Sequence, residues 1–107
     1  MQLSSKKAEN NGEEIKLAFS GTQETVAILG RQDDNLRIIN EQFTCRIVPR
    51  GDELLLTGDK AEIEKLVRVI DELLFLYREG NAITTHDVRY AIKLVQAGKA
   101  DHLHQMF

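Results

Sequence analysis

The chain has 107 residues, a formal net charge of −3, 42% hydrophobic and 29% charged residues, and a single cysteine. That length suits one domain with a modest core, and Cys45 alone excludes an internal disulfide and fits a reducing compartment. Net acidity argues against a domain that grips nucleic acid through a dense basic surface. With no N-terminal apolar h-region and no run near the length of a membrane span, the sequence reads as cytoplasmic.

Residues 1–13 are polar and read as a mobile tail. Ile15, Leu17 and Phe19 then alternate with Lys16, Ala18 and Ser20, the period of a half-buried strand. Ser20-Gly21-Thr22 breaks the strand. Thr22 is placed to cap a short helix through Val26 and Leu29, although Thr25-Val26 suits a strand equally well. The loop Gly30-Arg31-Gln32-Asp33 leads into an amphipathic helix from about Asp34 to Phe43, with Leu36, Ile39 and Phe43 on one face. Asp33 or Asp34 is expected to cap it; the same free N–H groups can instead hold a phosphate.

Arg46, Val48 and Arg50 alternate with Cys45, Ile47 and Pro49. A tight hairpin signal, Arg50-Gly51-Asp52, separates this strand from Glu53-Leu54-Leu55-Leu56-Thr57. Pro49 donates no ladder hydrogen bond, so its strand is expected at a free edge. Asp59-Lys60-Ala61-Glu62 reads as an Asp variant of the capping box. It opens a helix from about Lys60 to Glu79 with an apolar stripe of Ile63, Leu66, Val67, Ile70, Leu73, Leu74 and Tyr77. Gly80 stops it. Thr84-Thr85-His86-Asp87 is a second capping box, Val88, Ala91, Ile92 and Val95 form the next buried stripe, and Gly98 ends that helix. Residues 100–107 suggest one further helical turn.

The expected fold is α+β: a two-layer sandwich with a three-stranded sheet covered by helices and an extra C-terminal helix. The domain occupies residues 14–98, between the tail and a stretch 99–107. Its predicted core is Leu17, Leu36, Ile39, Ile47, Leu55, Ile63, Leu66, Ile70, Leu73 and Val88.

This order, with a glycine loop between two helices followed by a hairpin and a long helix, resembles the KH (K-homology) RNA-binding domain. In that family a Gly-x-x-Gly loop clamps the nucleic-acid backbone. Here the loop is Gly30-Arg31-Gln32-Asp33, with Asp33 where the second glycine belongs. A broader similarity runs from Ile15 onward. Leu29-Gly30, Asp34-Asn35-Leu36-Arg37, Arg46-Ile47-Val48-Pro49-Arg50-Gly51-Asp52 and Leu56-Thr57-Gly58 are similar to the N-terminal region of PhoH-like proteins. Leu73-Leu74, Leu76-Tyr77 and Ile83-Thr84-Thr85-His86-Asp87-Val88 extend the match. The resemblance implies a KH-like domain preceding a P-loop ATPase, in a cytoplasmic, ATP-binding protein linked to RNA metabolism and phosphate starvation. No G-x-x-x-x-G-K-[ST] occurs in these residues, so ATP and Mg²⁺ are expected in a part of the parent protein beyond Phe107, and residues 99–107 are expected to begin the linker to it.

Candidate nucleic-acid contacts are Gly30, Arg31, Arg37, Arg46 and Arg50, with Lys60, Lys65 and Arg68 available to extend a groove for single-stranded RNA. Glu41, Asp52, Glu53, Asp59, Glu62 and Glu64 are interleaved with these cations, and neither hairpin strand carries an aromatic to stack a base. Phe75 falls off the main stripe of its helix. With Leu103, Met106 and Phe107 it is a candidate interface to the ATPase domain, to another partner or to a second copy in a homo-oligomer. No catalytic or metal-binding residue is expected: His102 and His104 lack further ligands in sequence, and Cys45 lacks a histidine partner. Two roles remain open, a weak RNA-binding module or a protein-interaction domain that regulates the ATPase after losing the clamp.

Overall fold

The computed structural model describes residues 12–98. The elements are β1 (Gly12–Ala18), α1 (Thr22–Leu29), a 3-10 turn (Arg31–Asp33), α2 (Asp34–Gln42), β2 (Arg46–Arg50), β3 (Glu53–Asp59), α3 (Lys60–Arg78) and α4 (Thr85–Gln96). The three strands form an antiparallel sheet in the order β1-β3-β2, and the helices cover one face, giving the expected KH-like sandwich. β1 opens at Gly12, slightly ahead of the expected boundary.

Register follows from the apolar alternation of β1. Ile15 pairs with Leu56 and Leu17 with Leu54, while Lys16 pairs with Leu55. Leu54 and Leu56 are therefore buried under the helices, with Ile15, Leu17 and Ile47 packed beside them. Leu55 points to the opposite face and is only half-buried, which corrects its place in the predicted core. Leu36, Ile39, Ile63, Leu66, Ile70, Leu73 and Val88 are core residues as expected. The hairpin turns on Gly51 and Asp52, with Gly51 at φ 58°, a backbone angle that glycine takes without steric cost. Pro49 lies on the edge strand, as its missing donor requires.

The helix ends largely obey their sequence signals. Asp59 accepts hydrogen bonds from Ala61 N (3.1 Å) and Glu62 N (3.3 Å), while Glu62 faces Lys65 at 3.8 Å. At the far end of α3, Asn81 N and Gly80 N donate to the Leu76 and Tyr77 carbonyls, the paired closure of a Schellman motif. On α4 the capping box is complete: Asp87 N donates to Thr84 Oγ1 (3.1 Å) and Thr84 N to Asp87 Oδ2 (2.9 Å). The start of α1 differs. Thr22 is the first helical residue, Gly21 holds the N-cap without a side-chain bond, and Val26 is exposed. α1 is anchored instead by Glu24, described below. Nor is α4 an appendage, because it packs on both α3 and α2 and supplies Val88, Ala91, Ile92 and Val95 to the core.

Candidate functional site

The loop between α1 and α2 is tightly built. Gly30 has φ 89°, and its N–H donates to the Val26 carbonyl at 2.8 Å. A Cβ on Gly30 would stand 2.8 Å from Asn35 N and 2.9 Å from Asn35 Cγ. Asn35 cannot yield, because it is buried and its Nδ2 donates to the Ile28 carbonyl at 3.1 Å. The following turn places Gln32 (φ 54°) and Asp33 (φ 61°) in the left-handed region. Two successive non-glycine residues there carry local strain, although Asp tolerates it better than most.

Asp33 occupies the N-cap of α2 but accepts no capping hydrogen bond, contrary to expectation. Asp34 faces Arg37, whose NH2 lies 3.3 Å from Asp34 Oδ1 and donates to the Gln32 carbonyl at 2.7 Å. Arg37, itself exposed, thus braces the loop from its outer surface. Arg31 is exposed. The loop therefore presents two exposed cations, Arg31 and the Asp34-paired Arg37, and a helix start with no side-chain cap, beside two carboxylates.

Arg46 and Arg50 are elsewhere. Ile47 of β2 packs on the core, so its neighbours along the strand, Arg46, Val48 and Arg50, point from the sheet's other face. The structure does not bring them together with Gly30, Arg31 and Arg37. What continues from the loop is a groove between α2 and α4. One hollow of about 290 Å³ is lined by Asp34, Arg37, Ile38, Glu41, Thr85 and Arg89. The next, about 240 Å³, shares Ile38 and Arg89 and adds Gln42, Ile92, Lys93 and Gln96. Arg89 and Lys93 were not picked out by sequence reasoning; their only signal is the i,i+4 spacing of two cations on the polar face of α4.

Phe75 is half-buried, and the neighbouring Glu72 is only 3% exposed, so this side of α3 is not a bare surface. Leu103, Met106, Phe107 and the histidine pair His102 and His104 lie outside the described residues. Among the described residues no group of His, Cys, Asp or Glu is arranged to hold a metal, and no helix is long and apolar enough to cross a membrane. Burial pushes the Cys45 thiol above its usual range, and Glu62 and Asp59 add to that rise.

Glu24 is a strongly perturbed group. Its carboxylate is enclosed and receives Arg78 Nε at 2.9 Å, Arg78 NH2 at 3.0 Å and Ser20 N at 2.8 Å. The Arg78 hydrogen bonds, then the Ser20 N–H and the Arg78 charge, bring its pKa down from 4.5 to about 2 against the cost of burial. This bidentate pair ties the first turn of α1 to the last turn of α3. It is a structural clasp that the sequence does not announce, since its partners are 54 residues apart.

With the geometry in view, sequence comparison points to one group of proteins. The chain is 29% identical over 84 residues to a PhoH-like protein of Bacillus subtilis, covering 78% of this chain and 26% of that protein. A PhoH-like protein of Mycobacterium tuberculosis is 30% identical over 70 residues, covering 65% and 20% respectively, and one from Synechocystis is 24% identical over 85 residues, covering 79% and 26%. The chain is thus similar to part of the PhoH-like proteins and spans 20–26% of the length of these curated relatives. No family model and no solved structure matches it.

Proposed function

We propose that the chain is an accessory KH-like domain of a PhoH-like protein and offers a weak site for the backbone of single-stranded RNA at the Gly30 loop. ATP and Mg²⁺ would be bound by an ATPase region elsewhere in the parent protein. The observation that carries this reading is the loop itself: a helix start without a side-chain cap, an outward Arg31, and a groove running on from it past Arg37, Arg89 and Lys93. Backbone N–H groups and the helix dipole favour a phosphate there.

Asp33, Asp34 and Glu41 oppose it. Unit charges about 4 Å apart interact by roughly 1 kcal/mol in bulk water and about 4 kcal/mol at an effective dielectric of 20. That range offsets one phosphate contact or more. Binding is therefore expected in the non-specific range of roughly 10⁻⁴–10⁻⁶ M at physiological salt, falling as salt rises. Fluorescence anisotropy with a short single-stranded RNA at two salt concentrations tests this. Asp33→Gly should tighten binding, Arg31→Glu or Arg89→Glu should weaken it, and Arg46→Glu should leave it unchanged. Nanomolar affinity in the unaltered chain contradicts the role given to the carboxylates. Indifference to changes at Arg31 and Arg89 leaves the interaction-domain reading in its place.

A further inference from the structure

The sheet has two edges of different character. β2 is short, carries Pro49, and flanks it with exposed Arg46 and Arg50, all features that discourage further pairing. β1 is two residues longer than β2, although Glu13 places a charge on its inner face. Its seven residues, Gly12–Ala18, pair with β3 on one side and with no described strand on the other. It has no proline, and Glu14 and Lys16 are its only charged residues on the outer face.

We propose that β1 is a self-pairing edge, joining a second copy of this chain across a two-fold axis through Ile15 into a continuous six-stranded antiparallel sheet. Three independent features select that axis. Paired residues must project from the same face of a sheet, so an axis lying between residues would set an inward residue opposite an outward one and put the two helical layers on opposite sides. The axis must therefore pass through a residue. Placed on Glu14 it sets Glu14 against its own copy, and placed on Lys16 it sets lysine against lysine; like charges directly opposite are destabilising. Placed on Ile15 it sets Glu14 against Lys16 twice, on the exposed face, and Ile15 against Ile15 on the face that already packs on the core. Ile15 is also the middle of the strand, so this register alone pairs all seven residues. An isologous contact of this kind closes at two copies and leaves only the guarded β2 edges exposed.

Sedimentation equilibrium of the 107-residue chain, from about 10 μM to about 1 mM, should show a monomer–dimer equilibrium. Glu14→Lys and Lys16→Glu each place like charges opposite one another in both symmetry-related pairs and should raise the dissociation constant at least about tenfold. Both side chains are exposed, so the thermal midpoint at low concentration should not move. Combining Glu14→Lys with Lys16→Glu should restore the dimer. Under oxidising conditions Ile15→Cys should yield a disulfide between copies, because facing residues in an antiparallel pair lie about 4.5–5.5 Å apart at Cα, within disulfide reach. A chain that stays monomeric at about 1 mM overturns the proposal and leaves the edge to a different strand. So does a dimer indifferent to either single charge reversal, or one that the double reversal fails to restore.

Discussion

Gly30 is fixed by Asn35 before any ligand is considered. The amide nitrogen and side chain of Asn35 fill the space where a Cβ would go. The glycine that suggests a phosphate clamp in sequence therefore has a sufficient structural cause, and a role in binding has to be read from Arg31 and the groove instead. Asp33 shows the reverse case. It sits at φ 61° without capping α2, so replacing it with glycine sacrifices no hydrogen bond and relieves strain, at the cost of a more flexible unfolded chain. Asp34 should stay, since it holds Arg37. The Glu24–Arg78 clasp makes a pH prediction. A carboxyl whose folded pKa is about 2 against an ordinary 4.5 contributes stability that is complete above about pH 4.5 and is lost as pH falls toward 2. Because Arg78 is half-exposed, solvent screens part of that contribution. Glu24→Gln should lower the thermal midpoint near neutral pH by roughly 4–8 °C, the shift for about 1 kcal/mol in a domain this size. The difference from the unaltered chain should shrink between pH 4.5 and pH 2 in parallel melts.

Among the elements, β3 separates what sequence can reveal from what it cannot. Leu54-Leu55-Leu56 is apolar without alternation, so the sequence contains no signal for which leucines face inward. The answer lies in β1, whose clean alternation sets Ile15 against Leu56 and Leu17 against Leu54. Leu56→Ala should cost about 2–5 kcal/mol and Leu55→Ala markedly less, as read from denaturant midpoints. A larger cost at Leu55 than at Leu56 would mean that the register is shifted by one residue. The long helices were legible because capping residues and a 3.6-residue stripe mark α3 and α4 independently. α1 was legible only as one of two alternatives: its eight residues include exposed Val26, and its anchors, Glu24 to Arg78 and the Thr25 hydroxyl 3.1 Å from Asp52 Oδ1, are long-range. The candidate site divided for a similar reason. Sequence could list cations but not faces, and the strand period sends Arg46 and Arg50 away from the loop.

For the molecule as a whole, α4 is the test of unity. It closes the helical layer by packing on α2 and α3 and buries four side chains. A chain ended at Ile83 should lose the single cooperative melt followed by circular dichroism, because both neighbours would be left with exposed apolar stripes. A sharp transition in that truncated chain would show α4 to be dispensable. The two proposed surfaces are also separable at this scale. The Gly30 loop and the α2–α4 groove belong to the helical layer, while the β1 edge belongs to the sheet, so RNA binding and self-association should respond to different substitutions.

The strand order has a consequence for synthesis. β3 lies at the centre of the sheet, yet it is the last of the three strands to leave the ribosome. Until Glu53–Asp59 has emerged, β1 and β2 have nothing to pair with, and α1 and α2 have no completed surface to rest on. The hairpin can then zip locally, whereas β1 must be drawn back across more than thirty residues to find its register. Nascent chains stalled before and after β3 clears the exit tunnel should differ abruptly in protease resistance, with little gained while the first two helices emerge.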